Sequence, residues 1–164
     1  NWQSNGYRLP TEAEWAWTAK VDKQGFANQF PWNNNLYPPI EPVDNYADVS
    51  AKYLLPFTIA QYNDGYAVAA PVGSFEPNSK GLYNMAGNVS EWTNDYYDIQ
   101  ISRGAAAIDP TGPQAGNRHV IRGASWALGS RSELRSSFRD AGFEARLDVG
   151  FRIARYVDNS GAVP

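Results

Sequence analysis

Between Gly25 and Pro77 the chain never sustains an apolar repeat long enough for a regular helix or a well-paired strand. The text runs through "PWNNNLYPP", "PVDNYADVS", "YNDGY" and "FEPNSKG", clusters of Pro, Gly, Asn and Asp that separate short apolar pieces. A loop of this length is uncommon inside a compact domain unless it is functional or tied down by something other than its own secondary structure. Composition carries the same message, because six Trp, ten Tyr and seven Phe accompany 14 Gly and 11 Pro. Large rings packed between many turns describe a loop-rich fold and exclude a helix bundle. At 164 residues the chain is long enough for one domain that buries roughly two-thirds of its unfolded surface. The expected organisation is a single domain over residues 1–157, with 158–164 as a frayed tail.

Regular structure is expected only outside that stretch. In "RLPTEAEWAWTAK" Thr11 can cap a helix from Glu12 to Lys20, with Glu14 as the reciprocal partner of a capping box. Trp15 and Trp17 stand two apart and cannot share one helical face. "SAKYLLPF" holds room for a short helix that Pro56 would stop, and "GLYNMAGNVSEW" fits neither an ordinary strand nor a helix. Strand character returns around Val120 and Ile121, around Phe138, and in "VGFRIARYV", where Phe151, Ile153 and Tyr156 alternate against Arg152 and Arg155. Arg131, Arg135 and Arg139, at four-residue spacing, fit one helical face.

The residues that are missing narrow the chemistry. There is no Cys and a single His, which excludes thiol nucleophiles, disulfides, zinc-thiolate centres and any three-His metal site built from this chain. His119 has no neighbouring nucleophile in the sequence, and Ser125 in "GASW" is not in a nucleophile elbow. Eight of the 14 basic residues are arginines between Arg118 and Arg155, a segment that holds four acids, while the whole chain carries a net charge of −3. Interleaved acids argue for internal Arg pairing and against a nucleic-acid surface. No apolar run reaches the length of a membrane span. A lack of cysteines does not by itself locate a protein; an exported setting, periplasmic or extracellular, is favoured.

With thiols and imidazoles nearly absent, any metal must be held by oxygens, which points to a hard cation such as calcium. In "NMAGNVSE", Asn84 and Glu91 offer side-chain oxygens and Gly87 lets the chain curl so that the Gly87 and Val89 carbonyls face one point. "DNYAD" and "NDGY" make a second candidate, in which Asn45 and Asp64 meet across a closed loop and the Tyr46 and Tyr66 carbonyls complete the shell. The alternative is that Asn, Asp and Gly are here simply as turn residues.

Four ordered blocks, "GYRLPTEAEW", "PVGSFEPNSKGLYNMAGNVSEW", "VIRGASW" and "VGFRIA", resemble the formylglycine-generating enzyme, or sulfatase-modifying-factor, family across nearly all of Gly6 to Ala154. The resemblance implies a compact, loop-rich α+β fold related to C-type lectins, low in regular secondary structure. It implies one or two calcium ions: one at Asn84, Gly87, Val89 and Glu91, another at Asn45, Tyr46, Asp64 and Tyr66. It also withdraws the family's best-known activity. The two copper-binding cysteines of formylglycine-generating enzymes fall, without gaps, near Leu128 and Glu133, neither of which suits a soft cuprous ion. The resemblance further implies an N-terminal portion ahead of "RLPTEAEW", whose place a separate chain or domain could take.

Two functions follow. The first is a non-catalytic, calcium-stabilised recognition or structural domain whose loops around "SWALGSRSELRSSFR" meet a protein or small-molecule ligand through Trp126, Arg131, Glu133 and Arg135. The second is a cysteine-independent oxidoreductase of the same superfamily, with non-haem iron or another redox centre, acting on a peptide or small metabolite.

Overall fold

A computed structural model describes residues 6–20, 28–32, 36–99 and 107–156; the expected tail lies outside them. The helix α1 (Glu12–Lys20) forms where its capping signal sits. The Thr11 hydroxyl accepts from the Glu14 amide at 3.1 Å, and Glu14 accepts from the Thr11 amide at 2.8 Å. The two tryptophans part as their spacing requires: Trp15 is 2% exposed and Trp17 59%.

Four strands make the sheet: β1 (Ser90–Tyr96), β2 (His119–Arg122), β3 (Arg139–Gly142) and β4 (Val149–Phe151). Their order is β3-β2-β1-β4. β1 pairs antiparallel with β2 and parallel with β4, and β2 pairs antiparallel with β3. Helix α1 lies against β1 and β2. The capped start of α1 is tied to β1 by Asp95, whose carboxylate accepts from the Glu12 amide at 2.7 Å.

Several sequence expectations change here. "GLYNMAGNVSEW" ends in β1, the longest strand among the described residues; its polar residues hid it because the strand buries Ser90, Glu91, Thr93 and Asp95. The short helix expected in "SAKYLLPF" is a 3-10 turn at Val49–Ala51, earlier than read, because Asp48 caps it by accepting from Ser50. The three arginines at helical spacing do not share a helix: Arg131 and Arg135 sit in turns and Arg139 begins β3. The alternation after Val149 is real but inverted. Phe151 and Ile153 are 68% and 59% exposed, whereas the Arg152 side chain turns inward to pair with the buried Glu91. A buried carboxylate outbids two apolar side chains for the inner face, since leaving it unpaired would cost several kcal/mol.

The largest hydrophobic cluster stands beside the sheet, under the long loop. Phe30, Tyr46, Ile59, Tyr62, Ala124 and Leu134 are buried together, with Trp32, Tyr37, Val43 and Leu128 packed around them. Phe30 stacks on Trp32 at 4.6 Å between centroids, and Tyr46 meets Trp32 edge-on at 6.0 Å. Rings thus replace secondary structure as the element that orders residues 36–77. Arginines of the basic segment pair within the protein, but only Arg146 does so with the interleaved acids, Asp140 and Asp148; Arg122 and Arg139 meet Glu12 of α1 instead.

Candidate functional site

The two loops singled out by their oxygens lie against each other. Asn88, with φ of 70°, joins them: its amide donates to the Asn45 carbonyl at 2.8 Å, and its side-chain oxygen accepts from Ala70 N–H at 2.7 Å and from Asn45 Nδ2 at 3.1 Å. Asn is one of the few residues that adopts positive φ at modest cost, and Asn84, at φ 51°, uses the same freedom. Gly87 is required for a different reason. A Cβ there would stand 2.7 Å from Asp44 Cγ and 2.8 Å from the Asn45 carbonyl oxygen, so the loops approach only because that position has no side chain.

At the first loop, Glu91 is 5% exposed and fully engaged by protein groups. Arg152 donates two bonds of 2.6 Å, one to each carboxylate oxygen, and Trp15 Nε1 donates a third at 2.7 Å. A bidentate guanidinium already balances the charge of this carboxylate. Asn84 Nδ2 donates to Asp44 at 2.8 Å, which leaves its Oδ1 buried without a hydrogen-bond partner.

At the second loop, Asp64 gathers the backbone: its two oxygens accept from the Tyr46 and Tyr66 amides, each at 2.9 Å. No side-chain cation faces it among these bonds. Burial pushes the Asp64 carboxyl up to about 6, against the pull of those two amides, with Asp48 and Asp44 adding to the rise. Burial also lifts Asp44 to about 6, offset in part by Asn84 and by backbone N–H groups. Asn45 Oδ1 is buried and unpartnered. An unpaired buried amide oxygen costs about 1–3 kcal/mol, and a hard cation would relieve it. The donor set therefore fits calcium at both loops, with a difference: the first would share its carboxylate with Arg152, the second has a carboxylate of its own. No group of three His, Cys, Asp or Glu side chains converges among the described residues, so each loop would rely on amide and backbone oxygens around one acid.

The second predicted surface lies elsewhere. Arg131 and Arg135 are exposed, and Trp126 is half-buried. Glu133 folds back, accepting from the Ser130 amide at 2.9 Å and the Gly129 amide at 3.3 Å. Arg131 reaches over the Phe30 ring, 5.9 Å from its centroid. His119 meets the Asn94 carbonyl at 3.2 Å and Ser125 donates to Asp148 at 2.9 Å, structural bonds in both cases. Sequence reasoning missed Arg152, Trp15 and Asp44. Arg152 was visible as the polar member of "VGFRIA", and the inward turn of Arg152 needs only the knowledge that Glu91 is buried beside it.

Residues 1–157 match the sulfatase-modifying factor enzyme 1-like domain, and the chain belongs to that family. It is similar to the mouse formylglycine-generating enzyme, with 39% identity over 122 residues, covering 74% of this chain and 30% of the mouse protein. It also resembles the bovine inactive C-alpha-formylglycine-generating enzyme 2, at 34% identity over 69% of this chain and 36% of that protein. Among solved structures, the Treponema denticola variable protein 1 superposes with a TM-score of 0.74 at 30% identity, over 94% of this chain and 49% of that one. The chain thus spans about a third of these curated relatives and about half of the solved one. The loop-rich α+β architecture is that of the family. No helix among the described residues is long and apolar enough to cross a membrane.

Proposed function

We propose that this chain is a calcium-stabilised recognition domain of the sulfatase-modifying-factor family that does not carry out copper-cysteine oxidation. The observation that carries the reading is what occupies the two family cysteine positions. Leu128 packs onto the aromatic core and Glu133 closes its own turn, so one position is structural filler and the other a backbone cap. The turns between and just after them present Arg131 and Arg135 to solvent, and Trp126 stands at their start. Arg and aromatic side chains are the usual anchors of protein contacts, which suits a C-type-lectin-like use of these loops. Similarity to the inactive C-alpha-formylglycine-generating enzyme 2 is consistent with a binder on this fold, since one fold hosts both catalysts and binders.

The unpartnered Asn45 and Asn84 oxygens and the uncompensated Asp64 support calcium, held by Asn84, Gly87, Val89 and Glu91 at one loop and by Asn45, Tyr46, Asp64 and Tyr66 at the other. An exported setting, periplasmic or extracellular, would supply the calcium such neutral-rich sites need. The test is elemental mass spectrometry on gently purified protein that has met no chelator. Calcium as the only stoichiometric metal is the expected result. Stoichiometric iron or copper would replace this reading with the oxidoreductase.

A further inference from the structure

Between Asp48 and Ile59 the chain leaves the aromatic core and returns to it. At the base the Ile59 amide donates to the Ala47 carbonyl at 2.8 Å, Asp48 and Ile59 form a bridge, and Asp48, Ala51 and Ile59 are all buried. The 3-10 turn that Asp48 caps is followed by bonds from the Leu54 and Leu55 amides to the Ala51 carbonyl, at 2.8 and 3.0 Å. A chain whose ends meet in this way is a compact loop. Its tip is nonetheless apolar and outward: Tyr53 is 88% exposed, Leu54 61% and Phe57 58%. Scattered exposed apolar side chains are ordinary, whereas several from one turn make a patch that marks an interaction site.

What the tip lacks narrows what it meets. No Asp or Glu stands between Asp48 and Asp64 in a chain of net charge −3, and Asp48 is buried with its carboxylate taken by the Ser50 and Asp64 amides. The charge at the tip is that of Lys52, exposed, with its ammonium 4.7 Å from the centre of the Tyr53 ring. From Tyr53 to Phe57 the sole side-chain hydrogen-bonding group is the Tyr53 hydroxyl, so the tip has little of the polar rim that registers one protein on another. Its backbone also asks for little water, because the Leu54 and Leu55 amides are bonded within the turn and Pro56 has no N–H. Neither of the two larger cavities has a described wall residue from this loop.

We infer that this tip inserts into the interfacial layer of an anionic lipid bilayer, with Tyr53, Leu54 and Phe57 at the upper acyl chains and Lys52 among the headgroups. Aromatic and Lys side chains favour that depth. Buried apolar area supplies the attraction, and the acid-free tip lets the negative lipid surface add to it. One short loop gives peripheral, reversible attachment. The inference goes beyond the proposed recognition role and does not depend on it, since Trp126, Arg131, Glu133 and Arg135 all lie outside the loop.

A chain without cysteines accepts a single thiol label wherever one is introduced. Leu54→Cys and, on the turn before β4, Leu147→Cys, replacing a side chain that is 97% exposed, each carry one environment-sensitive fluorophore. The labelled proteins are mixed at constant free calcium with vesicles of phosphatidylcholine and phosphatidylglycerol in about a two-to-one ratio. The label at position 54 should brighten, shift to the blue and be quenched by a nitroxide-bearing lipid, while the label at 147 stays unchanged. In cosedimentation the combined Tyr53→Ser, Leu54→Ser and Phe57→Ser variant should bind at least about tenfold more weakly than wild type. Lys52→Gln should weaken binding to the mixed vesicles several-fold. These exposed positions should leave the melting temperature nearly unchanged, and the label at 54 decides the matter even if the combined variant fails to fold. No vesicle binding by wild type, equal responses at 54 and 147, or undiminished binding by the combined variant overturns the inference. Wild type that ignores vesicles but self-associates in sedimentation velocity, and loses that association in the combined variant, also overturns it and gives the patch to a second copy of the chain.

Discussion

Glu91 and Asp64 are two carboxylates with the same expected role and opposite surroundings. Glu91 takes three side-chain bonds, two of them from Arg152; Asp64 takes two backbone amides and faces further acids. The first is balanced within the protein, the second is not. A loop that carries its own counter-charge is held shut without a ligand, whereas a loop without one gains most from an ion. On the proposed calcium reading, the first loop would be held by its own ion pair and the second would depend more on the ion, a division that neither loop's sequence states.

The comparison breaks most visibly at Arg152. Arg152→Ala leaves Glu91 buried and unpaired, and denaturant unfolding should show a loss of about 3 kcal/mol; adding calcium should return part of it, because the ion then has Glu91 to itself. A loss below about 1 kcal/mol would mean that Glu91 is solvated in solution. Next in size is Gly87→Ala, which drives a methyl into Asp44 and the Asn45 carbonyl. It should cost about 1–3 kcal/mol and reduce calcium binding at both loops together. An effect on one loop only would show that they are not coupled through this contact.

Asp64→Asn sharpens the distinction. The calcium-induced rise in melting temperature should fall sharply, while stability in chelator changes by less than in Arg152→Ala. An unchanged calcium response would remove Asp64 from the ligand set. The smallest effect is that of pH. Asp64 and Asp44 both titrate near 6 in the folded chain against 3.8 ordinarily, so the folded state binds more protons than the unfolded one between about pH 4 and 6. In chelator, stability contributed by this pair should fall as pH rises through that window, and saturating calcium should flatten the slope. A chelator-state curve that rises across the same window in wild type but not in Asp64→Asn would reverse the assignment.

The parts of the fold legible in the sequence were those written in short-range chemistry. The capping box at Thr11 and Glu14 fixed α1 to the residue, and the parting of Trp15 from Trp17 followed from helix geometry alone. The absence of Cys removes the thiolate ligands that the family's copper site requires. Legibility failed where a long-range charge decided the outcome. β1 buries Glu91 and Asp95, so its pattern reads as a polar loop; the partners that make this tolerable lie 76 and 61 residues away for Glu91. The same pairing inverted β4, turning Arg152 in and Phe151 out. At the candidate site the candidate ligand residues were named from the loops, but the counter-charge from Arg152 and the carboxylate of Asp44 were not, since no local pattern encodes which acid meets which base.

The Glu91–Arg152 pair also constrains the order of events during synthesis. Trp15 and Glu91 leave the ribosome well before Arg152, which is 61 residues further along from Glu91. If Trp15 closed over Glu91 early, an unbalanced charge would be sealed into the forming interior. The sheet therefore has reason to stay open at β1 until β4 arrives, and a nascent chain halted before residue 152 should remain susceptible to protease at Ser90–Tyr96 even though α1 and its capping box are complete.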